Sequence, residues 1–439
     1  DRLTQPMLKQ GGEWKEVDWQ TALEYVANGL RNIQRDHGAN SIGALVSPHS
    51  TLEELFLTGA LVRGLGSENI DYRLRNAEFE TDIPGARYLG RSMADLSHLQ
   101  SVLVVGSNLR KDHPLLAQRL RHATRHGCEI SAVVSANPNW AMQVDHVMQA
   151  PAADWVQALA DIAAAVAQTK NVAAPQAGSV TALALGIAQS LLDGERKAVL
   201  LGNAAAHHAQ ASKLLALANW IAEQTGASVG YLTEAANTVG AQLVGALPGK
   251  NGLNAAQMLS GALKALILLN NEPEFDSAAG AAATESLKAC EMVVTLSPFK
   301  ANLEISDVLL PIAPFTETPG TFVNAEGRVQ SFHAVVRPLA ETRPAWKVLR
   351  AISDILAIPG MAFDSAQDVL THLHAQQGGV VPAFVPAERL SNAAGASAGA
   401  VWREPCVASI YQLDGIVRRA PALQLTADAR LAQAQEVAA

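Results

Sequence analysis

Cysteine, aromatic residues and clustered basic charge are all scarce in this 439-residue chain, and each scarcity removes a class of function. The three cysteines, Cys128, Cys290 and Cys406, lie far apart with no Cys-x-x-Cys spacing, so neither an iron–sulphur cluster nor a structural zinc has a ligand set. So few thiols in so long a chain suit a reducing cytoplasm, with each cysteine expected as a small buried hydrophobe. Aromatic residues make up only 5% while alanine is abundant, which suits helices on sheets rather than a β-sandwich. The net charge of −8 is dispersed, and no Lys/Arg block offers a nucleic-acid surface or a polybasic membrane anchor. No apolar run approaches the roughly 20 residues a transmembrane helix needs. Phosphate-binding signatures are absent too: no Gly-x-Gly-x-x-Gly follows a strand, no Gly-x-x-x-x-Gly-Lys occurs, and Gly64-Leu65-Gly66 reads as a helix stop.

What is present is an alternation of short apolar runs and helix-period segments, the pattern of βαβ units around mainly parallel sheets. Strands are expected at Ile42–Val46, Val102–Val105, Ile130–Val134, Val144–Met148, Ala198–Leu201, Leu266–Leu269, Met292–Leu296 and Val308–Leu310. Helices are expected from Trp19 behind an Asp18 cap, over Thr51–Leu65, Leu115–Arg125, Trp155–Ala167, Ser179–Leu192 and His207–Gln224. Thr321-Phe322-Val323 and Arg328-Val329-Gln330 flank Asn324-Ala325-Glu326-Gly327, a hairpin with glycine where positive φ is needed. Gln377–Ala400, rich in Gly, Pro, Ala and Ser, reads as an extended or mobile linker, and Trp402–Leu425 as an aperiodic arm laid over another surface.

Three strand-end loops are candidates for ligand binding, because open α/β sheets bind at the carboxyl ends of their strands. These are Gly106-Ser107-Asn108 before a helix, Gly202-Asn203, and Asn270-Asn271-Glu272-Pro273. Each also reads as an ordinary turn, with Asp112 capping the helix after the first. His207-His208 cannot share a metal easily, since neighbours on a helix point about 100° apart. Glu53-Glu54 and Glu78/Glu80 read as solvated or capping carboxylates, and no nucleophile–base arrangement is visible. No catalytic and no metal-ligating residue is therefore assigned.

Four segments, in order, resemble the molybdopterin oxidoreductase family: Arg2-Leu3 … Pro6-Met7-Leu8 … Trp14 … Asp18-Trp19; Val104 to Asn108 with His113-Pro114; Leu269 to Pro273; and Asp307 to Gln330. The resemblance implies two α/β domains, one inserted in the other: 13–85 with 255–345, and 86–254, followed over 346–439 by a helix, a flexible linker and an extended C-terminal arm. It also implies that Ser107, Asn108, Asn270, Asn271 and Glu272 line a remnant cofactor groove. The family's metal-coordinating loop corresponds to Asn69–Glu80, which holds no thiol, and Tyr72 is its only hydroxyl. After Leu356 too little regular pattern remains for the family's closing domain.

These departures are similar to the large iron–sulphur subunit of NADH:quinone oxidoreductase (complex I), a branch of the same family, which Tyr72–Arg75 and the Trp402 … Pro421 tail also resemble. That likeness implies a piece of a longer chain, starting at Asp1 behind missing cluster-bearing domains, with no redox centre of its own. No molybdopterin and no separate catalytic activity are then expected, and iron–sulphur clusters belong to the missing N-terminal region. The implied partners are other subunits of the complex I peripheral arm, on the cytoplasmic side of the inner membrane without insertion into it; no nucleic acid is expected. The alternative is a truncated molybdenum or tungsten bis-pterin enzyme of the formate dehydrogenase type. A third possibility is a nucleotide-binding or interaction module. The hairpin residues Asn324, Glu326, Gly327 and Arg328 are expected to be structural, Arg328 pairing with a buried carboxylate.

Overall fold

The computed structural model describes residues 1–375, 382–397 and 399–431. The strands among them are β1 (Met7–Gln10), β2 (Glu13–Glu16), β3 (Ile42–Val46), β4 (Ile70–Asp71), β5 (Ser101–Val105), β6 (Glu129–Val134) and β7 (His146–Gln149). There follow β8 (Lys197–Leu201), β9 (Ser228–Tyr231), β10 (Ala265–Leu269), β11 (Met292–Ser297), β12 (Val308–Pro311), β13 (Gly320–Val323) and β14 (Val329–Phe332). The chain has a mixed α/β fold in which these strands form two large sheets, each mainly or wholly parallel, and one hairpin.

The first sheet runs β2-β1-β12-β11-β10-β3-β4, parallel from β12 to β4 with β1 added antiparallel at one side. The second runs β7-β6-β5-β8-β9, all parallel, and all its strands fall between β4 and β10 in the chain. Both sheets reverse their strand order once. The parallel part of the first starts at β3 and turns outward in both directions from the β3/β10 junction; the second does so from β5/β8. At such a junction the connections leave to opposite faces, so a crevice opens between the carboxyl ends of the two strands.

The strands form because their alternate residues have two apolar layers to enter. Ala44, Val46, Ile267, Leu269, Val294 and Leu296 enter one core with α1 (Trp19–His37), α2 (Leu52–Gly64) and a late helix, Ala345–Ile355. Leu45, Leu266, Leu268 and Val293 enter another on the opposite face. In the second sheet Leu103, Val105, Val199 and Leu201 face one helical layer, and Val102, Val104, Ala198 and Leu200 face the other. Truncating any of the fully buried leucines would cost about 2–5 kcal/mol. Local signals set the helix ends: Asp18 accepts the Thr21 N–H at 2.8 Å to start α1, and Gly38 at φ 84° stops it. At α2, Thr51 and Glu54 form a reciprocal capping box.

Several expectations change here. The β1–β2 hairpin, β4 and β9 are additional, and the predicted strand at Val144 begins at His146. Glu53 and Glu54 are not solvated: both are buried, Glu53 accepting the Thr321 hydroxyl at 2.7 Å and its N–H at 2.9 Å. Glu54 does cap, as one of the two readings had it. Glu78 is likewise buried and accepts the Ser212 N–H and hydroxyl, while Glu80 pairs with Arg87 at 3.0 Å. Of the supposed linker, 377–381 and 398 lie outside the described residues. Residues 382–397 lie against the body, with bridges Arg328–Phe384, Ala86–Leu390 and Thr81–Ala396. Gly327 has the positive φ the hairpin needs, 84°. Arg328 pairs as expected with a nearly buried carboxylate, Glu326, at 3.1 Å, though its own side chain is 46% exposed and lies over Phe384. Its removal therefore leaves Glu326 the Met93 N–H at 2.7 Å and costs little.

Candidate functional site

Each junction carries a cavity. At β3/β10 a space of about 250 Å³ is lined by His49, Glu54, Asn271, Glu272, Phe299 and Phe322, among others. At β5/β8 a space of about 230 Å³ is lined by Ser107, Asn108, Asn137, Trp140 and Trp155, among others.

The five sequence-selected residues divide between these places. Asn270, Asn271 and Glu272 follow β10 directly. Asn270 adopts φ 53° and donates to the Ser50 hydroxyl at 3.0 Å. Asn271 is buried; its amide nitrogen donates to the Leu45 and Leu269 carbonyls at 2.7 and 3.0 Å, and its side-chain oxygen has no partner. Glu272 opens the turn after β10, its N–H donating to Asp276 at 2.8 Å. Ser107 and Asn108 follow β5. The Ser107 hydroxyl is 3.5 Å from His113 Nδ1, and the Asn108 N–H donates to Asp112 at 2.8 Å, so Asp112 braces the loop rather than capping the helix that starts at Pro114. Burial pushes the Asp112 carboxyl up to about 6 and His113 down to about 4, so His113 is neutral at pH 7. Asn203, at the end of β8, is buried with its side-chain oxygen unpartnered. Glu54 at the first cavity is pushed up to about 7 by burial, with Glu53 adding to the effect.

Sequence reasoning missed what lies between the two cavities. The arm from Trp402 onward crosses this chain's own strand ends rather than another surface. The His207 ring nitrogen Nδ1 lies 2.8 Å from the Cys406 carbonyl, Trp402 packs edge-on against the His208 ring, and Lys111 pairs with Asp428. Arg419 forks onto Glu272 at 2.6 and 2.8 Å, and Arg418 reaches Asp276 at 2.8 Å and Glu272 at 3.0 Å. Beneath them Arg75 joins Glu234 at 2.6 Å to Asp276 at 3.1 Å, and His207 approaches Glu234 at 3.4 Å. Burial alone would raise Glu234, yet Arg75 and His207 hold it well below the usual carboxylate range. Arg73 is similarly engaged by Asp71 at 2.9 Å. The signal for this cluster was present as Arg73, Arg75, Arg418 and Arg419, but their partners are far away in sequence. His207 and His208 face different neighbours, and among the described residues no group of three or more His, Cys, Asp or Glu side chains could hold a metal.

Two sheets, one mainly and one wholly parallel, each with a switch-point crevice at its strand ends, define a doubly wound α/β protein. Residues 2–355 match the model of the molybdopterin oxidoreductase family, and the chain belongs to that family. It is 23% identical over 443 residues to the Bacillus subtilis protein YjgC, named provisionally as an oxidoreductase; the match covers 84% of this chain and 45% of that protein. It is 24% identical to YrhE of the same organism, named provisionally as a formate dehydrogenase, over 81% of this chain and 44% of that protein. A Staphylococcus aureus protein, SAR2393, with the same provisional name is 23% identical over 81% of this chain and 43% of its own. The chain thus spans under half the length of these relatives. Acetylene hydratase from Pelobacter acetylenicus shares the fold at a TM-score of 0.58 and 14% identity, covering 86% of this chain and 64% of that one.

The family assignment overturns the expectation that molybdopterin has no place here. That expectation rested on what residues 69–80 lack, whereas the family match runs through the strand ends that form the crevices. The residues there fit a nucleotide-bearing group at its ends: unpartnered amide oxygens of Asn203 and Asn271, aromatic walls at both cavities, and backbone loops after β5 and β10. No helix among the described residues is long and apolar enough to cross a membrane.

Proposed function

We propose that this chain is the pterin-nucleotide-binding core of a molybdopterin oxidoreductase of the formate dehydrogenase type. The observation that carries the reading is the pair of switch-point cavities, one on each sheet, facing a common crevice. Asn271, Glu272, Phe299 and Phe322 would hold the cofactor at the first sheet; Ser107, Asn108 and Asn203 would hold it at the second. When bound, the group supplies the metal-centred redox chemistry. The chain's own part is to grip the ends, exclude water through its aromatic walls and keep charge near the crevice balanced. His113, neutral at pH 7, adds no charge beside the second cavity. The test is molybdenum and tungsten quantification with oxidised-pterin fluorescence on the full-length native protein, alongside formate oxidation with an artificial electron acceptor. Stoichiometric metal and pterin support the reading; a full-length protein free of both overturns it.

A second reading, as part of the large subunit of NADH:quinone oxidoreductase, is favoured by one specific observation. In residues 69–80, Asp71, Arg73, Arg75, Glu78 and Glu80 are all committed to hydrogen bonds or ion pairs, and no thiol stands among them. Here the fold would serve as an architectural brace between neighbouring subunits. Co-purification of the tagged full-length protein with NADH:ferricyanide reductase activity from membrane extracts supports this reading; isolation without that activity counts against it.

A further inference from the structure

The arm that crosses the crevice is held in an unusual way for a folded segment. Among the described residues, none of the large hydrophobic clusters takes a side chain from 402–431; Ala429 is the arm's one buried apolar side chain, while Leu425 and Leu431 stand 64% and 62% exposed. Its attachment is mostly polar: the Arg418 and Arg419 contacts, the Lys111–Asp428 pair and the His207 contact with a carbonyl, beside the Trp402–His208 ring contact and the stacking of Arg418 on Phe275. A segment with so small an apolar anchor sits at the low-stability end of a protein, where detachment proceeds by local opening rather than by global unfolding.

The Arg419 contact has a particular chemical form. A planar group lies over the Phe299 ring, 4.7 Å from its centroid, and presents two parallel N–H donors to the two oxygens of Glu272 at 2.6 and 2.8 Å. A guanidinium does this, and so does the 2-amino-4-oxopyrimidine edge shared by guanine and pterins, which carries adjacent ring N–H and amino donors on a flat aromatic ring. Glu272 and Phe299 also line the 250 Å³ cavity at β3/β10, so a ring bound to them has room for its remainder. The buried Asn271 oxygen, without a partner, stands in the same wall. Burial works to raise the Glu272 carboxyl, but the Arg419 and Arg418 bonds keep it below its ordinary value, so it is ionised and an acceptor at neutral pH.

We propose that Arg419 is a built-in stand-in for a ring bearing the 2-amino-4-oxopyrimidine edge, and that Glu272 and Phe299 are the residues that select this edge once the arm lifts. The arm is therefore a releasable plug, and ring binding and arm docking exclude each other. This rests on the proposed pterin-nucleotide reading and names its recognition chemistry. It also makes Arg418 a positioning residue that ties the plug to Asp276.

The experiment uses the whole chain as wild type and as the R418A/R419A double variant. Guanosine, a neutral probe free of phosphate, is titrated by calorimetry, and hydrogen exchange is followed across 402–431. In the double variant, exchange in the arm rises by about tenfold or more. Guanosine then binds with 1:1 stoichiometry, whereas the wild type takes it up at least about tenfold more weakly. Inosine, lacking the 2-amino donor, binds the variant about tenfold or more weakly than guanosine, since one charge-assisted bond is lost. Adding E272Q to the double variant removes the preference for guanosine. Unchanged exchange overturns the plug; raised exchange without guanosine binding, or with equal binding of inosine, overturns the recognition site. Native protein that carries pterin while its double variant ignores guanosine loses only this inference. Native protein without pterin whose double variant selects guanosine loses only the proposed function.

Discussion

Replacing Arg75 by alanine should be among the most damaging single changes in this chain, and the damage should depend on pH. Arg75 is 6% exposed and compensates two carboxylates at once, Glu234 and Asp276. Removing one member of a buried ion pair leaves an uncompensated charge and costs about 3–5 kcal/mol. At about 2–4 °C per kcal/mol for a cooperative unit of 150–250 residues, the melting temperature should fall by about 6 to 20 °C at pH 7.5. The sign of the pH dependence follows from Glu234. In the wild type its folded value is depressed, so it contributes stability above the unfolded value of about 4.3, lost only as pH falls through the folded value. Without Arg75, burial is opposed by the His207 contact alone and raises Glu234 from its depressed value, so the ionised form is less favoured and protonation relieves it. The gap between variant and wild type should therefore narrow from pH 7.5 to pH 5. Scanning calorimetry at both values, with R75A/E234Q as a partial rescue, measures it. A shift below about 2 °C, or one independent of pH, would refute the assignment of Arg75 as the compensating charge.

Three further outcomes are expected. Thr321→Val removes the hydroxyl donor to the buried Glu53 and should cost about 1–3 kcal/mol, read as a lower thermal midpoint, whereas Thr321→Ser should retain most of it. Gly230→Ala should abolish soluble expression at 37 °C: its Cβ would stand 1.9 Å from the Leu89 carbonyl oxygen, where two backbone segments cross. Normal yield of folded protein would show that the crossing can open. Burial pushes the Cys128 thiol up to about 12 and Cys290 up to about 11, so neither is a thiolate at pH 7.5. Both should resist iodoacetamide in the native protein and react in denaturant, mass spectrometry reporting each site.

Much of the framework was legible because the central strands announce themselves. β3, β5, β8, β10 and β12 are short apolar runs that parallel sheets bury on both faces, and α1 and α2 carry their caps in sequence. β9 was not, being four residues including Gly230 whose place depends on the Tyr88–Gly90 segment beside it. Glu53 and Glu54 looked like surface carboxylates because their partners arrive from elsewhere: Thr321 lies 268 residues beyond Glu53. The candidate loops were found by their position after strands, a local property; their sorting into two facing switch points was not, since strand order is not written along the chain.

Amino-acid order alone determined the alternation of strands and helices, the polar strand-end loops and the family signature from Asp307 to Gln330, because periodicity, capping and turn chemistry act over a few residues. Only the tertiary structure decided that Arg418 and Arg419 end on Glu272 and Asp276, 142 to 147 residues away, and that the arm fills this chain's own crevice. The physical reason is that a buried charge takes its meaning from whichever opposite charge folding brings within about 4 Å, and no local pattern encodes that meeting.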